Sequence, residues 1–340
     1  MKNKLKKNYK LIFLVIGSIV FIFLIINLGL KNIIENISKT GVWFIPIILV
    51  WFIIYLLNTF TWFVAQKHAK SKIKYSTLLS IHISSSAINY LTPIVSLGGE
   101  PYRILNASEY MDEENAVSST LLYNIFHVLS HLIFWSICCL ISLLIFRDVT
   151  MFILSLIVFV VLSVVIFLFI IGFKKGFLDI IMKVFKGRLI FKKLNNYIEK
   201  KEAKILIIDK TIRGFYSNKR KYFYLVILSE LLARIAASSE IYFILYSLNI
   251  VVSPFQAIYI YGAMSLFLNL LFFIPMETGS KEASLYYIVG TLGISSQIGI
   301  YVSLISRIRE FFWIIIGMIL IKLNKSKKSK PQLKHNKNEV

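Results

Sequence analysis

The chain has 340 residues, of which 57% are hydrophobic and 16% charged, with a mean hydropathy of +0.72 and a formal net charge of +22. Soluble domains carry about 25% charged residues and cannot hide this much apolar surface from water, so a soluble globular fold is excluded and an integral membrane protein is indicated. Two adjacent cysteines, Cys138 and Cys139, are too few for a metal site and poorly placed to bridge, which excludes a disulfide framework and leaves the redox compartment open.

Five Lys in the first ten residues precede an apolar run from Leu11 to Leu30, without a small-residue cleavage site behind it. That length spans a bilayer and exceeds a signal-peptide core, so an uncleaved first helix is expected. Further apolar stretches follow at Val42 to Ala65, Tyr75 to Leu97, Ala116 to Phe146, Thr150 to Phe173, Tyr222 to Asn249, Pro254 to Pro275, Ser280 to Ser296 and Gln297 to Leu323.

Charge sets the threading. Of 39 basic residues, 31 fall in four segments: the first ten residues, Gln66 to Lys74, Lys174 to Lys221, and the tail from Lys322. The positive-inside rule places all four on the cytoplasmic side. An even number of crossings must then join Lys74 to Lys174, yet three apolar stretches lie between them. Tyr75 to Leu97 is therefore expected to enter and leave from the cytoplasm, and by the same arithmetic Pro254 to Ser296 dips in from outside. Opposite re-entrant elements in two halves are the pattern of an inverted-topology repeat. The expected fold is an all-α polytopic membrane protein with about six full spans and two re-entrant or broken hairpins. Its parts are a first repeat (1–173), a basic amphipathic cytoplasmic loop (174–221), a second repeat (222–323) and a disordered Lys-rich tail (324–340).

Both dips carry residues that break helices. In the first, Pro93 ends a helix, Gly98 and Gly99 permit a tight turn, and Glu100, Pro101 and Arg103 open the next helix. In the second, Pro275, Glu277 and Gly279 precede Ser280, a natural N-cap, followed by Lys281 and Glu282. Non-helical backbone at membrane depth survives only where protein or water satisfies it, so both breaks are expected to line one cavity.

At these residues the sequence resembles the lysylphosphatidylglycerol synthase transmembrane family, a flippase-like region found alone or fused to a soluble aminoacyl transferase. The resemblance rests on Pro93, Gly99, Glu100 and Arg103, and on Pro275, Gly279 and Glu282-Ala283, and extends from about Lys10 to Lys322. Met276 and Glu277 stand where the family usually has glycines after its second proline. Only a Lys-rich tail follows Lys322, so the fused transferase domain is expected to be absent. The resemblance implies movement of an aminoacylated or other phospholipid between leaflets, with anionic or lysylated phospholipids and a separate synthase as partners and no cofactor.

Other ionisable residues fall inside apolar stretches, where they are expensive and face a cavity or each other. Glu230 and Arg234 share a helix face, so that they either pair with each other or join the cavity wall. Arg307, Arg309 and Glu310 lie near the middle of the last stretch; Arg309 has no partner on its own helix and joins Arg103 as a candidate for holding a lipid phosphate in two-pronged fashion. His127 and His131 share a face but lack a third ligand, which favours packing over a metal site. Ser84, Ser85, Ser86 and Asn89 read as small or polar packing residues. In the basic loop, Phe177, Ile180, Ile181, Val184 and Phe185, then Leu194, Ile198, Ile205, Ile208 and Ile212, form apolar stripes suited to an anionic membrane surface rather than nucleic acid.

Three function classes remain. A lipid translocase is favoured by the broken helices and central arginines. A phosphatidylglycerol lysyltransferase would need a catalytic constellation and a tRNA-binding surface. A small-solute secondary transporter fits inverted repeats equally well.

Overall fold

The computed structural model describes residues 38–68, 73–91, 98–176, 212–217, 219–272 and 279–328, with Lys31, Glu35, Lys210 and Glu277. The expected first span, Pro93, Pro275, Met276 and the loop stripes from Phe177 to Ile208 lie outside these residues. Regular structure among the described residues is helical: α1 (Phe44–His68), α2 (Tyr75–Leu91), α3 (Gly99–Ala107), α4 (Glu113–Ile145), α5 (Val149–Lys175), α6 (Arg220–Ser247), α7 (Pro254–Leu270), α8 (Ser280–Thr291) and α9 (Ser296–Lys328).

Side-chain caps open α5 and α7. Asp148 accepts a hydrogen bond from the Met151 N–H at 3.0 Å to open α5. Ser253, Pro254 and Gln256 form a capping box with proline in the first turn of α7, satisfying N–H groups that have no partner within the helix. Between these ends the helices are apolar nearly all round, as expected of elements solvated by lipid as well as by protein. Helix α5 is the extreme case: Phe152, Ile153, Val160 and Phe167 are all exposed on its outer side.

Among the described residues, four segments are long and apolar enough to cross a membrane: Ser38–Gln66, Glu113–Ile145, Val149–Lys174 and Arg220–Ser247. The expected last span, Gln297 to Leu323, lies within α9. That helix matches α4 in length, 33 residues each, but carries Arg307, Arg309 and Glu310 in its central turns. It runs on through Lys328, into the stretch expected as the tail.

Helices α1 to α4 and α6 to α9 follow one plan. A long helix is followed by one of 17 residues, then a short one, then one of 33. Packing follows the same plan: α2 lies against α9 as α7 lies against α4, α3 against α4 as α8 against α9, and α1 meets α6 at the centre. The α2–α9 and α7–α4 crossings are both close. A Cβ on Gly317 of α9 would come within 2.5 Å of the Ala87 Cβ on α2, and one on Gly262 of α7 within 2.1 Å of the Cys138 Sγ on α4. Within the first set, Trp62, Leu78, Tyr102 and Tyr123 share a core; within the second, Ile241, Ile260, Val302 and Ile305 do.

Within the described part of the basic loop, Ile212 and Phe215 correct the expectation that Ile212 faces lipid. Both are buried against Phe126, Phe173 and Phe223, because α4, α5 and α6 leave an aromatic recess there that takes the apolar side of the segment.

Candidate functional site

Between the two sets of helices lies a cavity of about 390 Å³ whose wall brings together Arg103, His127, Arg234, Glu277, Arg309 and Glu310 with Trp51, Tyr55, Tyr90 and Trp313. A second cavity of about 180 Å³ adjoins it, sharing Glu277, Arg309 and Glu310 and adding Glu240 and Lys281.

Arg103 enters from α3. Its Nε donates to the Ser85 Oγ at 2.6 Å, and its guanidinium lies 4.7 Å from the ring centre of Tyr123 and 5.8 Å from that of Trp62. Only 5% of the residue is exposed, and it forms no ion pair among the described residues. What places it is the packing of α3 on α2. A Cβ on Gly99 would lie 2.4 Å from the Ser85 carbonyl oxygen and 2.5 Å from the Asn89 Oδ1, so only glycine allows this approach. The Gly99 N–H donates to that same Asn89 Oδ1 at 2.6 Å. Gly98 has ordinary right-handed angles (φ −87°, ψ −40°) and Gly99 serves as a contact surface; the residues that would lead into the expected tight turn lie outside the described ones. Glu100 accepts from the Asn124 Nδ2 at 2.8 Å. Ser85 and Asn89, read from sequence as packing residues, hold the arginine and the helix start.

The second break is built differently. Gly279 is the N-cap of α8 at φ +79°, a left-handed conformation that favours glycine, and Glu277 is also left-handed at φ +55°. The Glu282 carboxylate reaches back to the Gly279 N–H at 2.9 Å. Ser280, expected as the cap, is instead the first helical residue, with its hydroxyl buried and without a partner among the described residues. The other side of Glu282 takes Arg307, with the Nε donating to Oε1 at 2.6 Å and the second nitrogen to Oε2 at 3.0 Å. Arg307 also donates to the Glu277 carbonyl at 3.2 Å, tying the break to α9. Asn124 and Arg307 are both the twelfth residue of a 33-residue helix, and each binds the first-turn glutamate of the short helix before it.

Arg309 corrects a further expectation. It is not free for phosphate, because the Glu240 carboxylate on α6 accepts from its Nε and from a terminal nitrogen, both at 3.0 Å. Trp51 completes this cluster, donating to Glu240 at 2.6 Å while the guanidinium lies 3.7 Å from its ring centre. Glu310 takes Lys281 on one oxygen and the Tyr90 hydroxyl on the other. Lys281 is therefore spoken for, whereas the Glu277 side chain forms no ion pair among the described residues.

Glu230 and Arg234 pair at 3.4 Å, with a third member. The His127 Nδ1 lies 2.9 Å from the Glu230 Oε2, and Arg234 donates to the Ser130 Oγ at 2.8 Å and the His127 carbonyl at 3.0 Å. His127 and His131 meet edge to face at 5.1 Å, and among the described residues no group of three ligands gathers to hold a metal. Sequence reasoning missed Glu240, Trp51, Tyr90 and His82. Glu240 had a visible signal, an acid six residues after Arg234 in the same apolar helix; the aromatic residues had none among so many others.

No curated protein and no solved structure matches this chain. The family model described as the lysylphosphatidylglycerol synthase TM region matches residues 10–317. With a helical membrane architecture and that match over most of its length, the chain belongs to the lysylphosphatidylglycerol synthase transmembrane-region family.

Proposed function

We propose that this protein carries phospholipid headgroups from one leaflet of the cell membrane to the other, with Arg103 taking the phosphate and Glu277 the amino group of a zwitterionic or lysylated lipid. The observation that carries this reading is the pair of charges left over on the cavity wall. Arg103 and Glu277 have no ion-pair partner among the described residues, while Arg307, Arg309, Lys281 and Arg234 are all neutralised by carboxylates. A buried charge is expensive unless something compensates it, so an unpaired cation and an unpaired anion on one wall suit a guest of opposite polarity. A charged headgroup in hydrocarbon meets the same penalty, and a translocation path must replace its water with protein dipoles and charges at the midplane.

An inverted repeat supplies the motion. Helices α2 and α7, of 17 residues each, reach about 25 Å, short of the roughly 30 Å hydrocarbon core, as re-entrant elements should. The matching helix order and packing support a pseudo-two-fold relation between α1–α4 and α6–α9. Rocking one set against the other would open the cavity to each leaflet in turn, with both termini on the cytoplasmic side.

Purified protein in liposomes carrying fluorescent lipids in one leaflet, read by external quenching, tests this directly. Faster exchange than in protein-free liposomes, greatest for lipids bearing an amine and a phosphate, is the expected outcome. A parallel assay for lysyl transfer from charged tRNA reads the competing chemistry. Lipid exchange no faster than in empty liposomes across several headgroups defeats the translocase reading.

A further inference from the structure

His127 sits where a carried proton would sit. Its side chain is 32% accessible from the cavity, and directly behind it Glu230 is fully buried, 2.9 Å from the imidazole Nδ1. The carboxylate is shared: Arg234 and Ser130 reach the same oxygen at 3.4 and 3.5 Å. On the cavity side a run of polar groups leads toward the phosphate candidate. The Tyr123 hydroxyl lies 3.5 Å from His127 Nδ1 and 3.5 Å from His82 Nε2, and the Arg103 guanidinium lies over the Tyr123 ring. His131, one turn further along α4, has a buried Nδ1 without a partner among the described residues.

The groups facing His127 give an unbalanced sum. From α6 come Glu230 and Arg234, from α3 Arg103 beyond Tyr123, and from α2 the His82 ring. On α4 itself are Tyr123 and His131, and α7 adds Tyr261 on the same cavity wall. Glu100, the remaining acid of α3, is held by Asn124. Two guanidiniums against one carboxylate leave this side of the cavity short of negative charge. A phosphate bound at Arg103 supplies the missing negative charge one ring away, and imidazole is the side chain whose charge changes readily near neutral pH.

We infer that the protein takes up one proton, on His127, with each phosphate-bearing headgroup it binds, so that lipid movement is coupled to proton movement in the same direction. The inference rests on the translocase reading and adds a driving force to it. Coupling is reciprocal: if phosphate favours the proton, the proton tightens phosphate binding by the same factor. The ring of His127 gains the proton from cavity water, keeps Glu230 as its counter-ion, and gives the proton up when the headgroup leaves on the other side.

The test uses the full chain in detergent and short-chain phosphatidylglycerol, whose phosphodiester keeps its charge throughout the range used. Calorimetric titration in buffers of different ionisation enthalpy counts protons taken up per lipid. The wild-type protein is expected to take up close to one, with affinity falling about tenfold per pH unit on the alkaline side. His127→Gln, which keeps a hydrogen-bonding group beside Glu230, is expected to bind without uptake and without pH dependence. His131→Gln is expected to retain the uptake. Lipid binding by the wild type with no proton taken up overturns the inference whatever the variants do, as does full uptake by His127→Gln. In liposomes, a pH gradient is expected to bias the fluorescent lipid toward one leaflet. Exchange that proceeds but ignores the gradient defeats the coupling and leaves the translocase reading standing, whereas absence of exchange defeats both.

Discussion

Two arginines that look alike in sequence differ completely in the fold. Arg309 is consumed by Glu240, Trp51 and its neighbour Glu310, while Arg103 faces the cavity and, among the described residues, is held by a hydroxyl and two aromatic faces. Arg103→Ala is therefore expected to abolish lipid exchange while leaving the protein folded, since no carboxylate is stranded by its loss. Arg103→Lys should restore little, because an ammonium cannot make the two-pronged contact with phosphate. Full exchange by Arg103→Ala in the liposome assay removes this residue from the site. The opposite profile is expected at the structural pair. Glu240→Gln strands a buried guanidinium, a loss of about 3–5 kcal/mol, and should lower the thermal unfolding midpoint in detergent. Adding Arg309→Gln should recover part of that loss; a double variant no more stable than the single one would show that the pair is not what Glu240 contributes. Pairing partners such as these were hidden in the sequence because they come from different helices: Arg309 to Glu240 and Arg307 to Glu282 are contacts that helix spacing alone cannot reveal.

At the scale of elements, the two breaks were legible in position but not in mechanism. Gly98, Gly99 and Gly279 announce interruptions in otherwise apolar runs, and helices begin at or beside all three, α3 at Gly99 and α8 just after Gly279. What each glycine does depends on its neighbour in space. Gly279 uses its left-handed backbone, whereas Gly99 allows α3 to lie on the Ser85 carbonyl and Asn89. Gly98→Ala is thus expected to be tolerated, its backbone angles being open to any residue. Gly99→Ala should force α3 away from α2 at about 1–3 kcal/mol, with lower thermal stability and loss of lipid exchange together as Arg103 moves off the wall. Equal tolerance at both positions would mean that the α2–α3 contact is not what sets Arg103. Helix ends were read from sequence within a few residues for most stretches, since an apolar run between polar caps is a local signal. Ile212 misled for the converse reason: its stripe is local, but whether protein or lipid covers it depends on the recess formed by Phe126, Phe173 and Phe223.

For the whole molecule, the charge distribution and the helix lengths make one argument about threading. Basic segments flank both sets of helices, and each set contains a 17-residue helix too short to cross alone, joined to a helix of 9 or 12 residues. If α2 and α3 return to the side they came from, the loop after α3 is cytoplasmic, and the first set enters the membrane with the opposite sense to the second. Single cysteines at Ser108, just beyond α3, and at Ser326, in the last turns of α9, should then both be protected from an impermeant thiol reagent applied to intact cells. The background for this experiment needs Cys138 and Cys139 replaced, and since Cys138 packs against Gly262 at the α4–α7 crossing, Cys138→Ala with Cys139→Ser is the gentler choice. Labelling of Ser108→Cys from outside would place α2 and α3 across the membrane as a full crossing. The two sets would then share one orientation, the cavity could not face opposite leaflets by rocking about a pseudo-two-fold axis, and the translocation mechanism would fall even if Arg103 and Glu277 still bound lipid.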